Sequence, residues 1–196
     1  MFSEFERYLL QVAPPSSGLR PFICEGSPLE CDVALVGYNP ATALEADFWE
    51  FWVPGQGFDK ARWFETYKSE RRSKPLKPGK SRRTPVSPTR KRIELFLDGL
   101  GDRKCIETNL YWDASPDISS HQPATQSHLV ELLQQIPALR LVVCHHGNAF
   151  QMLSARIPSV EIRQVDHFAS RKRGWTDRAA FELGQRMRSL CDALSG

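Results

Sequence analysis

Apolar and polar positions alternate along the chain in two patterns, one typical of helices and the other of buried strands. Short apolar runs bounded by glycine or polar residues indicate strands that are covered on both faces. They lie at residues 32–36, 105–110, 139–145 and 160–165. Segments with apolar residues at helical spacing lie around them, at residues 2–13, 59–70, 89–100, 125–136, 147–156 and 176–194.

Strands that alternate with helices predict a mostly parallel sheet with helices on both of its faces. We therefore expect an α/β fold, a three-layer α/β/α sandwich around a central, mostly parallel four-stranded sheet. The chain has 196 residues, a length typical of one domain, and no internal repeat divides it. Residues 1–196 are expected to form a single domain, and Thr89 is expected to begin the third helix.

In sheets of this kind, ligands bind in the crevice beyond the carboxyl ends of the strands. The polar, aromatic and cationic residues of this chain are concentrated in the segments that follow the predicted strands. These segments are Gly-Tyr-Asn-Pro-Ala-Thr at 37–42, Thr-Asn-Leu-Tyr-Trp at 108–112, His-His-Gly-Asn at 145–148, and residues 166–175. Their common position predicts a binding site at one rim of the sheet.

Three side chains at this rim could bind a ligand. Asn109 carries both a donor and an acceptor, which is what reading the edge of a pyrimidine requires. His167 could stabilise the negative charge on a departing base, and Asn39 could hold a water molecule. Each residue also has a structural interpretation. Asn39 could form a turn, Asn109 could hold a loop in place, and His167 could hydrogen-bond to neighbouring backbone.

The run Cys144-His145-His146 resembles a metal or nucleophile cluster. Consecutive residues of a strand point to opposite faces of the sheet, so the three side chains cannot easily converge. We expect Cys144 in the core and His145 or His146 at the rim. The five cysteines form no Cys-x-x-Cys pair, and we expect no metal and no organic cofactor.

Positive charge is concentrated in one segment of the chain. Residues 68–92 contain eleven basic residues and one acidic residue, which gives this segment +10 within a total of +3, so the remainder carries −7. A cationic patch on an acidic body is typical of a protein that binds a polyanion such as DNA. The alternative is a solvated loop, which the four prolines of the segment favour.

Composition excludes several classes of protein. No run approaches the ~18 consecutive apolar residues of a membrane helix, and the mixed, acidic start of the sequence lacks the features of a signal peptide. The content of 41% hydrophobic and 10% aromatic residues is typical of a globular protein. We expect a soluble, cytoplasmic monomer that has no membrane partner.

The rim segments resemble three motifs of the uracil-DNA glycosylase superfamily. Gly-Tyr-Asn-Pro at 37–40 is similar to the first motif, most closely in the single-strand-selective and mismatch-specific branches that carry Asn there. Thr-Asn-Leu-Tyr at 108–111 resembles the second-strand motif, and His-Phe-Ala-Ser-Arg at 167–171 resembles the last motif, commonly His-Pro-Ser-x-Arg. Their order and spacing match the family over roughly residues 20–190.

The resemblance implies a role for each matched residue. Asn39 would position the attacking water, Asn109 would bind the uracil edge, and His167 would stabilise the uracil anion. Tyr38 would border the base, and an aromatic residue shortly after the first motif, Phe51 or Trp52, would stack on it. Residues expected to contact DNA are Ser170, Arg171 and Arg173 of the last motif and its flank, and Arg82, Arg83, Arg90 and Arg92 of the basic segment.

The chain departs from the family at three points. Phe168 replaces the usual proline of the last motif, Ala41 replaces a second glycine of the first motif, and no carboxylate occupies the water-activating position. Asn can orient a water molecule but cannot accept its proton, so we expect slow catalysis.

The expected function is a monofunctional DNA glycosylase of base excision repair, a hydrolase that flips a deaminated base, uracil by default, out of DNA and cleaves its N-glycosidic bond. One alternative is a catalytically inactive nucleic-acid-binding protein with the same fold. The other is a hydrolase or transferase that acts on a free nucleotide and is indifferent to the basic segment.

Overall fold

The computed structural model describes residues 3–41, 43–76, 79, 81, 84–115, 127–170 and 175–194. The helices within these ranges are α1 (Glu4–Val12), α2 (Lys60–Ser73), α3 (Pro88–Leu100), α4 (Leu129–Gln134), α5 (Gly147–Arg156) and α6 (Asp177–Ala193). The strands are β1 (Phe22–Ile23), β2 (Val33–Gly37), β3 (Trp52–Val53), β4 (Gly57–Phe58), β5 (Cys105–Asn109), β6 (Leu141–Cys144) and β7 (Glu161–Gln164). None of the helices in the described ranges is both long enough and apolar enough to cross a membrane.

Within the described ranges, five strands form the central sheet, in the order β1-β5-β2-β6-β7. Strands β5, β2, β6 and β7 are parallel, and β1 pairs antiparallel with β5. The α/β class and the mostly parallel sheet are confirmed, but the sheet has five strands instead of four. The additional strand, β1, comprises only Phe22 and Ile23, which is too short for any periodicity, and its partners Thr108 and Glu107 are distant in sequence.

Helices cover both faces of the sheet, as expected for an α/β sandwich. On one face, Leu35 and Val143 pack against residues of α3 and α6. On the other face, Ala34, Val36 and Val142 pack in a cluster that includes residues of α1, α4 and α5. Successive residues of a strand face opposite sides, and burial of both sides explains why the strands are continuous apolar runs.

Two glycines determine how closely α3 approaches α6. A Cβ atom on Gly99 would lie 2.2 Å from the carbonyl oxygen of Phe181, and one on Gly184 would lie 2.1 Å from that of Phe96. Any larger residue would therefore force the helices apart. This close packing fixes α3 against the sheet and, with it, the residues that α3 contributes to the rim.

The N-cap of the third helix lies two residues before the predicted one. Ser87, not Thr89, is the N-cap residue, and its hydroxyl accepts a hydrogen bond from the Arg90 N–H at 3.1 Å. Pro88 occupies the first turn, where its missing N–H costs nothing and its fixed φ suits the helix. Thr89 instead borders the cavity described below.

Candidate functional site

A cavity of about 400 Å³ lies at the carboxyl ends of β2, β5 and β6, and we call it the strand-end cavity. Residues of α2, the first turn of α3 and the loop after β7 complete its walls. Four of the residues predicted to act on the base or the water line this cavity: Tyr38, Asn39, Asn109 and His167. The structure thus brings together, in one cavity, residues that are far apart in the sequence.

The floor of the strand-end cavity depends on the absence of a side chain at Gly37. A Cβ atom there would lie 2.6 Å from Oδ1 of Asn109 and 2.9 Å from Nε2 of His145. These distances are below normal contact, so only glycine lets the amide and the imidazole converge at the end of β2. Among the described residues, no hydrogen bond engages the side chain of Asn109.

Asn39 connects two loops as well as lining the cavity. Its Nδ2 donates to the carbonyl oxygen of Ser115 at 3.2 Å, and the N–H of Ser115 donates to the carbonyl oxygen of Pro40 at 2.9 Å. The loops that follow β2 and β5 are therefore tied together. The amide donor of Asn39 is used in this tie, which leaves its oxygen as the acceptor for a ligand or a water.

His167 is held in one tautomer by its own loop. The Ala169 N–H donates to Nδ1 of His167 at 3.0 Å, so in the neutral ring the proton is on Nε2. Burial, with a smaller contribution from nearby His146, lowers the pKa of His167. At neutral pH the side chain is thus an uncharged N–H donor in the wall of the cavity.

His145, which also lines the cavity, is neutral as well. Only 9% of its surface is exposed, and burial, followed by repulsion from His167 and His146, lowers its pKa to about 3. Its ring centre lies 4.9 Å from that of His167, and its Nδ1 has no hydrogen-bond partner within the described ranges. Cys144 is buried in the core on the opposite side of the strand, as expected.

The adjacent His146 is the N-cap residue of α5, and its Nδ1 accepts from the Asn148 N–H at 3.3 Å. Its ring centre lies 4.7 Å from that of Tyr38.

Among the described residues, no group of three or more His, Cys, Asp or Glu side chains is arranged to hold a metal ion.

The expected stacking residues, Phe51 and Trp52, do not line the strand-end cavity. Both are buried in the core around the β3–β4 hairpin, and the indole N–H of Trp52 donates to the Glu6 carboxylate at 2.9 Å. Burying two large rings there outweighs any advantage of presenting them at the rim. Phe51 lines a neighbouring cavity, so the expectation is wrong for the strand-end cavity. Within the described ranges, the Phe, Tyr and Trp rings that line the strand-end cavity are those of Phe22, Tyr38, Trp63 and Tyr67.

Arg90 was expected to contact DNA, but it is buried and paired with two acids. Its guanidinium makes a bidentate contact with Glu107 at 2.6 and 2.8 Å and reaches Glu94 at 2.5 Å. Burial disfavours the Glu107 carboxylate, but attraction to Arg90 and Lys60 outweighs it and lowers the pKa of Glu107. Arg90 therefore serves as an internal counter-charge in the cavity wall instead of as a surface contact.

The other proposed DNA contacts fall into two groups. Arg92 is partly buried and donates to the Phe168 carbonyl oxygen at 2.5 Å, and the Ser170 N–H donates to the His167 carbonyl oxygen at 2.7 Å. Both therefore help to shape the last loop, where Phe168 itself is buried against Phe96 and Trp175. The remaining contacts lie outside the described residues: Arg82, Arg83, Arg171 and Arg173.

Sequence reasoning missed several residues of this cavity, among them Arg20, Trp63, Tyr67 and Glu107. Two signals could have found some of them. Glu107 is a carboxylate inside a strand, which requires a buried partner, and Trp63 and Tyr67 are an aromatic pair at i, i+4 on α2. Arg20 has no such signal, because it precedes a strand that is too short to detect.

No protein-family model matches this chain, and no curated protein matches it significantly. Function is therefore inferred from the chemistry of the strand-end cavity.

Proposed function

We propose that this protein is a DNA glycosylase-like enzyme that binds a flipped, deaminated base in the strand-end cavity and hydrolyses its N-glycosidic bond. Uracil is the proposed default substrate. The observation that carries the proposal is the state of His167. Its neutral ring keeps the Nε2 proton because Nδ1 accepts the Ala169 N–H at 3.0 Å. Such a donor can stabilise a departing base anion without first losing its own proton.

Asn109 supports the same function from the floor of the cavity. Its amide offers one acceptor and two donors, a combination that matches the alternating carbonyl and N–H groups of a uracil edge. Gly37 leaves the space that this amide and His145 occupy. A base held there would be bound by neutral groups, which suits an uncharged pyrimidine.

Asn39 is proposed to orient the attacking water through its side-chain oxygen, since its Nδ2 is bound to Ser115. The acids Glu45 and Asp47, which are close to Asn39 in sequence, line a different cavity. Glu107 is the carboxylate that lines the strand-end cavity within the described residues, and its lowered pKa makes it a weak base. The expected activity is therefore slow, as an unassisted water implies.

The test is base release from single- and double-stranded oligonucleotides that contain uracil, hypoxanthine or xanthine. Wild-type protein is expected to release one of these bases, and His167→Ala to reduce the rate by about 10²-fold or more while DNA binding is retained. Asn39→Ala is expected to abolish release. His128→Gln is the matched control, because this histidine lies outside the cavity and packs against Trp112.

The second candidate is a protein that binds nucleic acid but does not cleave the N-glycosidic bond. The tie from Asn39 to Ser115 favours it, because this contact is sufficient to explain an asparagine in the first loop. This candidate requires salt-dependent binding with no release of any base. Release that is equal in wild type, His167→Ala and Asn39→Ala would exclude the proposed mechanism.

A further inference from the structure

A second cavity, of about 390 Å³, lies beside the strand-end cavity. The two share three lining residues, Arg20, Pro40 and Trp63. Arg20 and Trp63 therefore form a common wall. The contacts and charges of this wall are not explained by a site that binds only a neutral base.

The Arg20 guanidinium has neither a hydrogen-bond acceptor nor a carboxylate partner among the described residues. Its contact is with the ring of Trp63, whose centre is 5.9 Å from the guanidinium carbon. Burial, and then repulsion from Arg90, lower the pKa of Arg20 to about 10. The group is half-buried and still cationic at neutral pH, so a partly desolvated positive charge at this wall has no carboxylate bound to it among the described residues.

The carboxylate whose charge acts on Arg20, that of Glu107, is occupied by other cations. Glu107 attracts Arg20, but both of its oxygens are bound by Arg90, and Lys60 lies 3.5 Å away. Glu94 binds Arg90 and Lys60. Glu107 is neutralised by Arg90, and both lining histidines are neutral. Among the residues that the structure describes, the lining of the strand-end cavity therefore carries one uncompensated positive charge, that of Arg20.

Trp63 adds an unused donor to the same wall. The residue is only 2% exposed, and its indole N–H has no acceptor in the described part of the chain. A buried N–H without a partner is uncommon and costs free energy. The first turn of α3 also borders the cavity and contributes the positive end of its dipole, through Ser87 and Thr89.

Charge also decides on which side of the wall an anion would bind. The second cavity is lined by three carboxylates, those of Glu45, Asp47 and Glu50, which would repel it. The strand-end cavity has one carboxylate within the described residues, Glu107, and that group is compensated. An anion attracted by Arg20 is therefore expected to bind in the strand-end cavity and not in the second cavity.

We infer that Arg20 and Trp63 form an oxyanion subsite of the strand-end cavity, and that it takes the phosphate of a nucleotide whose base occupies the same cavity. A guanidinium binds phosphate through strong, charge-assisted hydrogen bonds. The phosphate can belong to a free mononucleotide or to a nucleic-acid strand. The inference goes beyond base excision, since it concerns binding and holds for a cavity that performs no chemistry.

The experiment is isothermal titration calorimetry with uridine, uridine 5′-monophosphate, inorganic phosphate and a short oligothymidylate. Wild-type protein is expected to bind the monophosphate or the oligothymidylate at least about tenfold more tightly than uridine. Inorganic phosphate is expected to compete with whichever of these two ligands binds more tightly. The monophosphate binding more tightly identifies a free nucleotide as the source of the phosphate. The oligothymidylate binding more tightly identifies a strand.

Three variants test the assignment to Arg20. Arg20→Gln should remove the preference for phosphate, Arg20→Lys should keep part of it, and both should melt cooperatively. Arg62→Gln is the matched control, because this exposed arginine also lies over a ring, 6.0 Å from the centre of Phe51. A preference that persists in Arg20→Gln, falls equally in Arg62→Gln, or is absent from wild type would overturn the inference. The titration detects binding and not base release, so failure of the glycosylase proposal remains separate.

Discussion

Replacing Glu107 by glutamine would leave the buried Arg90 guanidinium with one carboxylate partner in the described part of the chain, that of Glu94. Arg90 is 7% exposed and Glu107 is 8% exposed, so water can replace little of the missing attraction. The Lys60 ammonium, 3.5 Å from Glu107, would lose a partner as well. The substitution is nearly isosteric, so its effect is expected to come from charge and not from a cavity.

Removing one member of a buried ion pair typically costs about 3–5 kcal/mol. The lower end is expected here, since Glu94 remains 2.5 Å from Arg90 and the glutamine oxygen can still accept one hydrogen bond. A loss of about 3 kcal/mol corresponds to a decrease in Tm of roughly 6–12 °C for a chain of this size. Adding Arg90→Met should recover part of the loss, because it removes the uncompensated charge.

Urea denaturation monitored by tryptophan fluorescence measures this difference in the free energy of unfolding. Glu161→Gln is the control, since Glu161 on β7 also pairs with an arginine, Arg163, but at the surface. Its effect should stay within about 0.5 kcal/mol. Equal losses in the two variants, or a double variant no better than Glu107→Gln, would refute the idea of a buried, coupled pair.

The same pair has a defined pH dependence. The pKa of Glu107 is lower in the folded protein than its ordinary value of 4.5. The unfolded chain therefore binds its proton first as pH falls. The stability that distinguishes wild type from Glu107→Gln should be complete above pH 4.5 and lost as pH falls through the lowered pKa, which denaturation at several pH values can measure.

Three further predictions follow from the same cavity and from the basic segment. Gly37→Ala should cost about 1–3 kcal/mol by overpacking and abolish base release, while Gly147→Ala, whose Cβ would meet its nearest atom at 3.6 Å, should be tolerated in the same two assays. His145→Gln should reduce the loss of folding stability as pH falls from 6.5 to about 3. In wild type, His145 is protonated in the unfolded chain but not in the folded protein over that range, so acid favours unfolding. A pH profile of the free energy of unfolding that is the same in both proteins would contradict this. Replacing Arg82 and Arg83 with glutamine should lower the salt slope of duplex DNA binding by about 0.9 for each phosphate that is no longer neutralised; an unaltered slope would mean that neither residue binds phosphate.

Most of the fold could be predicted because its signals are local. Buried parallel strands are short apolar runs, and helices repeat their apolar positions at a fixed spacing. The carboxyl ends of parallel strands lie on one edge, so Tyr38, Asn39, Asn109 and His167 could be expected at one rim from the sequence alone. All four line one cavity.

The errors concern interactions between residues that are distant in sequence. Arg90 belongs to a basic segment, and nothing local shows that Glu107, on a strand, binds it instead of a phosphate. Trp52 follows the first motif at a suitable distance, yet Glu6 provides a buried acceptor for its indole. Charge counts and motif spacing describe the residues available, whereas packing decides which of them reach the rim.

The groups of the strand-end cavity have two kinds of chemistry. Asn109, His145 and His167 are neutral at pH 7, and they suit an uncharged base. Arg20 carries the uncompensated charge and suits an oxyanion. A ligand that satisfies both kinds must join an uncharged, hydrogen-bonding ring to a phosphate, which is the description of a nucleotide. The neutral base and the phosphate therefore require separate tests, and Arg20→Gln should weaken only the second while His167→Ala acts on the first.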